Sequence, residues 1–285
     1  MNKGVIPIIF LLIAWGIASC GAVDKEAQSE SSPIDKSQIE TIVNGNPFDY
    51  QDYATVLETY VDEGGLVDYE GLQANREQLD RFNRSLGEVS PAVYNSWSQE
   101  EKLAFLINAY NSFTLESIID QNPLKDSIRK IPGVWKRRKF SLAQTEKTLD
   151  NIEHDIIRQE FNEPRIHAAL VCAAISCPPL RNEPYVPERL DAQLAEQSQK
   201  WIASPHGFQI DRQNNRVSIS AIFKWFGEDW LETYSSDEKF AGSEREKAAL
   251  NFISQYVPPE IRTYLAQGNY RINYLDYDWS LNKQN

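Results

Sequence analysis

The sequence predicts an α+β fold in which helices dominate and strands are confined to a small sheet or hairpins. Three observations predict it. Apolar residues recur at the helical period over long stretches, notably 98–120, 148–161 and 186–203. Two serines, Ser98 and Ser243, are each followed three residues later by glutamate at the start of such a stretch, the pattern of a capping box. Alternating apolar residues bounded by turn formers are short and few, at 208–219 and 270–274.

Element by element, Tyr53, Val56, Leu57, Tyr60 and Val61 space a first helix over 50–62, which Gly64-Gly65 stops. A second helix is expected from Tyr69 to Leu86. The third is the strongest: it opens at Ser98-Gln99-Glu100-Glu101, runs through Leu103, Leu106, Ile107, Tyr110 and Phe113 to about Asp120, and ends at Asn122-Pro123. So apolar a helix belongs in the middle of the fold, and its Asn108 and Asn111 then need partners, either as structural hydrogen bonds or as a polar edge of a cleft. Residues 135–142 have weak strand character. A helix over 148–161 turns Ile152, Ile156 and Ile157 inward and sets Asp150 and His154 four residues apart on one face, where the carboxylate can orient the imidazole. The run from Ile166 to Ala174 is open between buried strand and buried helix. A strand puts His167 and Cys172 on opposite faces, and a helix puts them about 140° apart. Pro178-Pro179 forces an extended exit. An amphipathic helix over 186–203, a hairpin over 208–219, an aromatic cluster at Phe223, Trp225, Phe226 and Trp230 read as core, a helix from Ser243 to Tyr256 and a last strand at 270–274 complete the chain.

The first nineteen residues read as a signal segment. Lys3 precedes a short apolar run, Val5 to Ile17, too brief for a membrane span. It ends in Ile17-Ala18-Ser19-Cys20, which resembles the bacterial lipoprotein signal, in which the cysteine is lipidated and becomes the mature N-terminus. That resemblance implies a palmitate-bearing anchor at Cys20 holding the protein to a membrane of the cell envelope. Gly21 rather than Asp after the cysteine favours the outer membrane, facing the periplasm, in a Gram-negative cell. Residues 20–46 are polar and rich in Ser, Glu and Lys, the composition of a tether. No later segment has linker composition, so 47–285 is expected to be one globular domain.

Charge narrows the partners. A formal net charge of -12 over 285 residues excludes a nucleic-acid surface, and the one basic run, Lys136 to Lys139, is too short to reverse that and reads as a solvated face. No Gly-rich phosphate loop, dinucleotide fingerprint or Gly-x-Ser-x-Gly elbow occurs, and no cofactor is expected. The chemistry concentrates in one window. His154 lies in NIEHDIIR, and RIHAALVCAAISCPPLR (Arg165 to Arg181) carries His167, Cys172 and Cys177. Outside the cytoplasm such thiols pair when geometry permits, so Cys172 and Cys177 are a disulfide, a reactive thiol with a bystander, or two buried thiols.

Four segments carry a wider resemblance. KLAFLINAYNSFTL (Lys102 to Leu115), LDNIEHDIIR (Leu149 to Arg158), PRIHAALVCAAISCPPLR (Pro164 to Arg181) with Tyr185 following, and SISAIFKWFGEDW (Ser218 to Trp230) together resemble the family known as domain of unknown function 547. The resemblance spans about 102–230. It implies membership without an activity. Within that family Gly often follows the first cysteine, where this chain has Ala173, and plant relatives often lack the second cysteine, which leaves Cys172 as the more general feature.

Two functions fit these residues. In a thiol enzyme Cys172 attacks an amide or thioester, His154 is the base, Glu153 or Asp150 orients it, and Asn108 or Asn111 donates to the oxyanion. The set loosely resembles papain-like and transglutaminase-like enzymes, although here the histidine precedes the cysteine. In a non-enzymatic lipoprotein that binds a protein or cell-wall partner, Asn111, His167, Arg181 and Tyr185 line a polar core or ligand pocket with Asn108 and His154, and the cysteines form a local staple. A zinc site on His154, His167, Cys172 and Cys177 would need the spacing H-x12-H-x4-C-x4-C, which matches no familiar zinc pattern; no metal is expected.

Overall fold

One helix of 21 residues, Gln99–Ile119, lies at the middle of the fold. The computed structural model describes residues 48–235 and 239–284, so the expected signal segment, Cys20 and the tether to residue 46 fall outside the described residues. Within them the architecture is helix-rich α+β with two small sheets, as the sequence predicts. In chain order the helices are α1 Gln51–Tyr60, α2 Tyr69–Ala74, α3 Glu77–Glu88, α4 Pro91–Ser96, the central α5 Gln99–Ile119, α6 Arg158–Glu160, α7 Ile166–Ala169, α8 Leu190–Ala203, α9 Ala221–Trp225, α10 Leu231–Tyr234, α11 Glu244–Ser254 and α12 Pro259–Leu265.

Helix α5 begins on the expected capping box. The Ser98 hydroxyl accepts from the Glu101 N–H at 3.1 Å, and the Glu101 carboxylate accepts from the Ser98 N–H at 2.7 Å. Its apolar residues run all round rather than along one stripe, and a helix of that kind has to be covered on every face. From Leu103 to Ile119 only Glu116 is not buried. Helices α2 and α3 pack on it, but they are not the continuous helix expected over 69–86. The chain breaks at Asn75, whose side chain turns back to donate to the Gly71 carbonyl, while Arg76 reaches Asp80 and Asp120.

The strand expected over 135–142 shrinks to β1, Phe140–Leu142, paired with β2, Thr145–Lys147, through Ala143 and Gln144, both at positive φ as a two-residue hairpin requires. The basic run beside it is only partly solvated: Arg138 is held by Glu116 and Asp120, and Lys139 by Glu146. The second sheet is β3 Phe208–Asp211, β4 Arg216–Ile219 and β5 Arg271–Tyr274. β3 and β4 form the expected hairpin, in register Phe208↔Ile219, and β5 adds parallel to β4, Ile219↔Tyr274.

Two apolar clusters result. The larger surrounds α5; the smaller holds Trp201, Phe223, Trp230 and Phe252 under α11 and the second sheet. Beyond β5 the chain returns as an extended strap. Its Asp278, Ser280 and Asn282 backbones bond to Ser176, Ile175 and Ala173, and the Asn282 carbonyl then accepts from the Val67 N–H. The strap therefore crosses the loop between the two cysteines.

Candidate functional site

Residues Asn151–Ile157 do not continue as an α-helix. They form a π-helical segment, opened by Thr148 and Asn151, whose side chains each accept the other's backbone N–H at 3.1 Å. The wider turn suits the sequence, because Ile152 and Ile157, five residues apart, are both fully buried while Ile156 is only half-buried. Such segments are frequent at functional sites. This one turns Asp150, Glu153 and His154 toward a single cavity of about 300 Å³.

The cavity draws its walls from both apolar clusters. Tyr110, Leu170, Cys172 and Cys177 come from the α5 side, Ile222 and Phe226 from the other, and Trp135, Trp225 and Trp279 complete it. The aromatic segment read as core is therefore divided. Phe223 and Trp230 are buried at 1% and 0% exposure, whereas Trp225 is 43% exposed and Phe226 faces the cavity. Trp225 stacks on Trp279 at 5.9 Å and leans on Tyr277 at 4.8 Å.

A charged array fixes the histidines. Arg158 makes a bidentate bond to Asp229, Nε–Oδ2 2.6 Å and Nη2–Oδ1 2.8 Å. The same Asp229 accepts from His167 Nε2 at 2.7 Å. Burial alone would raise the Asp229 carboxyl, but the hydrogen bonds from Arg158 and His167 outweigh it and hold the group well below the usual carboxylate range. Arg158 also donates from Nη1 to His154 Nδ1 at 3.1 Å. Guanidinium nitrogens only donate, so the ring proton of His154 sits on Nε2, 3.9 Å from Asp150 Oδ1. Phe226 stacks on both His167 and His154, with centroids 4.6 and 5.9 Å away. Glu153 Oε2 accepts from Tyr110 at 2.8 Å. Burial, reinforced by that carboxylate, pushes the Tyr110 hydroxyl well up.

Cys172 and Cys177 form a disulfide with Cα atoms 6.2 Å apart. Ala173 bends the chain there through φ +58°, and the Cys172 N–H donates to Cys177 Sγ at 3.0 Å. Tyr277, delivered by the C-terminal strap, places its hydroxyl 3.2 Å from each sulfur. Burial and, less, the charge of Glu153 push that hydroxyl up as well.

The run from Ile166 that was open between strand and helix is one helical turn followed by an irregular extended exit. Asn111 decides this: it donates to the Ala169 carbonyl and accepts from the Val171 N–H, both at 2.9 Å, replacing the ladder a helix or strand would supply. Asn108 makes the same paired contact with the Tyr185 backbone. Both carboxamides thus serve the main chain, and neither lines the cavity. Tyr185 is buried, and Arg181 is held by Glu183 and Glu196; neither lines the cavity. Of the predicted site residues, the structure brings together Cys172, Cys177, His154, Glu153 and His167, and sets Asn108, Asn111, Arg181 and Tyr185 apart as scaffold. Among the described residues no three His, Cys, Asp or Glu side chains converge as metal ligands.

Sequence reasoning did not find Arg158, Asp229, Tyr277 or Trp279. Asp229 and Arg158 lie in the motifs SISAIFKWFGEDW and LDNIEHDIIR, so their signal was present; Tyr277 and Trp279 sit in a strap with no motif at all. Residues 94–202 match the model of a family described as Protein of unknown function, DUF547. This stretch is similar to that family. It contains α5, the π segment and the cysteine loop, hence one wall of the cavity. The opposing wall, Ile222, Trp225, Phe226 and Trp279, lies beyond the matched DUF547 residues. Comparison with curated proteins and with solved structures finds no match.

Proposed function

We propose that this protein is an envelope lipoprotein, anchored through lipid on Cys20, whose folded body binds a ligand in the cavity between its two apolar clusters. The single observation that carries the binding reading is the cavity itself: a concave, mostly apolar space with a few convergent polar groups, the usual form of a ligand site. Two further facts favour binding over catalysis. Cys172 is joined to Cys177, and Asn108 and Asn111, the amides suited to an oxyanion, do not line the cavity. The disulfide then acts as a staple that holds the cavity floor. The anchor is tested by membrane fractionation: Cys20→Ala should release the chain to the soluble fraction. Binding is tested by screening small molecules against the fluorescence of the cavity tryptophans. If saturable changes persist undiminished in Trp225→Ala, binding is elsewhere.

A thiol hydrolase or acyl transferase is the second reading, favoured by one observation: Cys172 and His154 face the same cavity. It requires the disulfide to be opened by a thiol reductant first. After reduction, Cys172 should then alkylate faster than Cys177, with an apparent pKa below about 8.5, and His154→Ala should slow it. Equal, slow alkylation of both thiols would end this reading.

A further inference from the structure

We infer that the cavity selects an organic ammonium group, carried on an apolar stem; this deepens the binding reading and rests on it. The inference comes from carboxylates and indole rings that line the same cavity. The π segment directs the carboxylates of Asp150 and Glu153 into the cavity. Glu153 spends one oxygen on Tyr110, and its Oε1 has no partner among the described residues. Asp150 faces Lys136 Nζ at 3.6 Å, but that lysine side chain is 78% exposed, so water screens the pair. Of the other nearby cations, Arg158 does not line the cavity and is engaged by Asp229 and His154, and Arg129 sits over the Trp279 ring, 5.1 Å from its centroid. Since His154 Nδ1 accepts from Arg158, the imidazole adds no positive charge to this wall while that bond lasts.

Trp135, Trp225 and Trp279 line the same cavity, Trp135 beside Asp150, whose N–H donates to the Trp135 carbonyl at 3.0 Å. Indole faces attract cations through their quadrupole, more strongly where water is excluded. Carboxylates beside indole rings suit an ammonium group and not an anion, which Asp150 and Glu153 would repel. The remaining wall, Leu170, Ile222 and Phe226, is apolar and takes a hydrocarbon stem. A volume of about 300 Å³ accommodates a head group of butylammonium or choline size.

The test uses the full chain in its oxidised form, titrated with n-butylammonium and choline at constant ionic strength. The neutral isosteres 1-butanol and 3,3-dimethyl-1-butanol, and N-acetylglucosamine as a sugar probe, serve as comparisons. Tryptophan fluorescence and saturation-transfer NMR are the readouts. At least one ammonium compound should bind saturably, about tenfold or more tighter than its neutral isostere. Glu153→Gln, which keeps an acceptor for Tyr110, should weaken it about tenfold, and so should Asp150→Asn, with unfolding midpoints unchanged. Preference for butylammonium over choline would assign the gain to N–H donation toward Glu153 Oε1; equal affinity would assign it to the ring faces. If an alcohol or the sugar binds as tightly as the ammonium compounds, or if both carboxamide variants retain full affinity, the ammonium inference is overturned while the cavity stands as a binding site. If no probe binds, both fall.

Discussion

Removing the carboxylate of Asp229 tests the charged array that positions both cavity histidines. Asp229 is 18% exposed at its side chain and joins Arg158, 16% exposed, to His167, 3% exposed. Truncating one partner of such a pair strands the others, which ordinarily costs about 3–5 kcal/mol. Arg158 keeps a weaker contact with Glu228 at 3.7 Å, so Asp229→Ala should fall near the lower limit, about 3 kcal/mol at pH 7. For a domain of this size that lowers the melting temperature by about 6–12 °C.

The pH dependence follows from the depressed carboxyl. Its folded value lies below its unfolded value of about 3.9, so its contribution is complete above the unfolded value and is lost as pH falls through the folded one. The gap between wild type and Asp229→Ala should hold constant from pH 7 to pH 5 and narrow by about 1 kcal/mol at pH 3. Urea unfolding at the three pH values measures it. The double variant Arg158→Met/Asp229→Leu, which removes the charges together, should lose less than Asp229→Ala alone. A loss under about 0.5 kcal/mol at pH 7, or a gap that widens on acidification, would refute this account of the array.

Two further substitutions separate scaffold from site. Asn111→Ala leaves the buried Ala169 carbonyl and Val171 N–H unpaired and should cost about 2–4 kcal/mol in urea unfolding; a loss near zero would mean that water replaces the amide. Cys177→Ser opens a loop with a sequence separation of 5, for which chain entropy gives about 2 kcal/mol. On the binding reading, ligand affinity measured well below the lowered midpoint should survive it.

The fold was legible where one local signal dominated. Both capping boxes formed as expected, because Ser98 and Ser243 need only residues three positions away. The hairpin and the last strand were also legible, but their parallel pairing was not: β4 and β5 are more than fifty residues apart, and nothing local in either states the partner. The π segment escaped because Ile152, Ile156 and Ile157 satisfy the α period as well as Ile152 and Ile157 satisfy the wider one. Half the candidate site was legible as chemistry, through His154, Glu153, His167 and the cysteines. Asn108 and Asn111 are as polar in sequence as any site residue. What distinguishes them is that backbone groups of Tyr185, Ala169 and Val171 arrive opposite them in space. The tryptophan wall needed the tertiary fold too, since Trp225 and Phe223 differ by two positions on one helix and face opposite environments.

Ala173 shows how the cavity floor is bent, and what that bend is worth. An L-residue at φ +58° pays roughly 1–2 kcal/mol for the left-handed conformation. The bend brings the Cys172 N–H onto Cys177 Sγ, and the strap fastens it through the bond from the Asn282 N–H to the Ala173 carbonyl at 3.2 Å. Glycine meets no such penalty. Ala173→Gly in this chain loses a buried methyl, about 0.8 kcal/mol, and gains unfolded-state freedom at a further cost of about 0.5–1 kcal/mol, while recovering the strain. The terms nearly cancel, so its stability should stay within about 1 kcal/mol of wild type. Ala174 is equally buried, at 1%, but has ordinary φ, so Ala174→Gly recovers nothing and should lose about 1–2 kcal/mol. The difference between the two variants in urea unfolding reads the strain directly. Equal losses would mean that the loop, once cross-linked by the disulfide and held by the strap, follows the left-handed bend at no measurable cost.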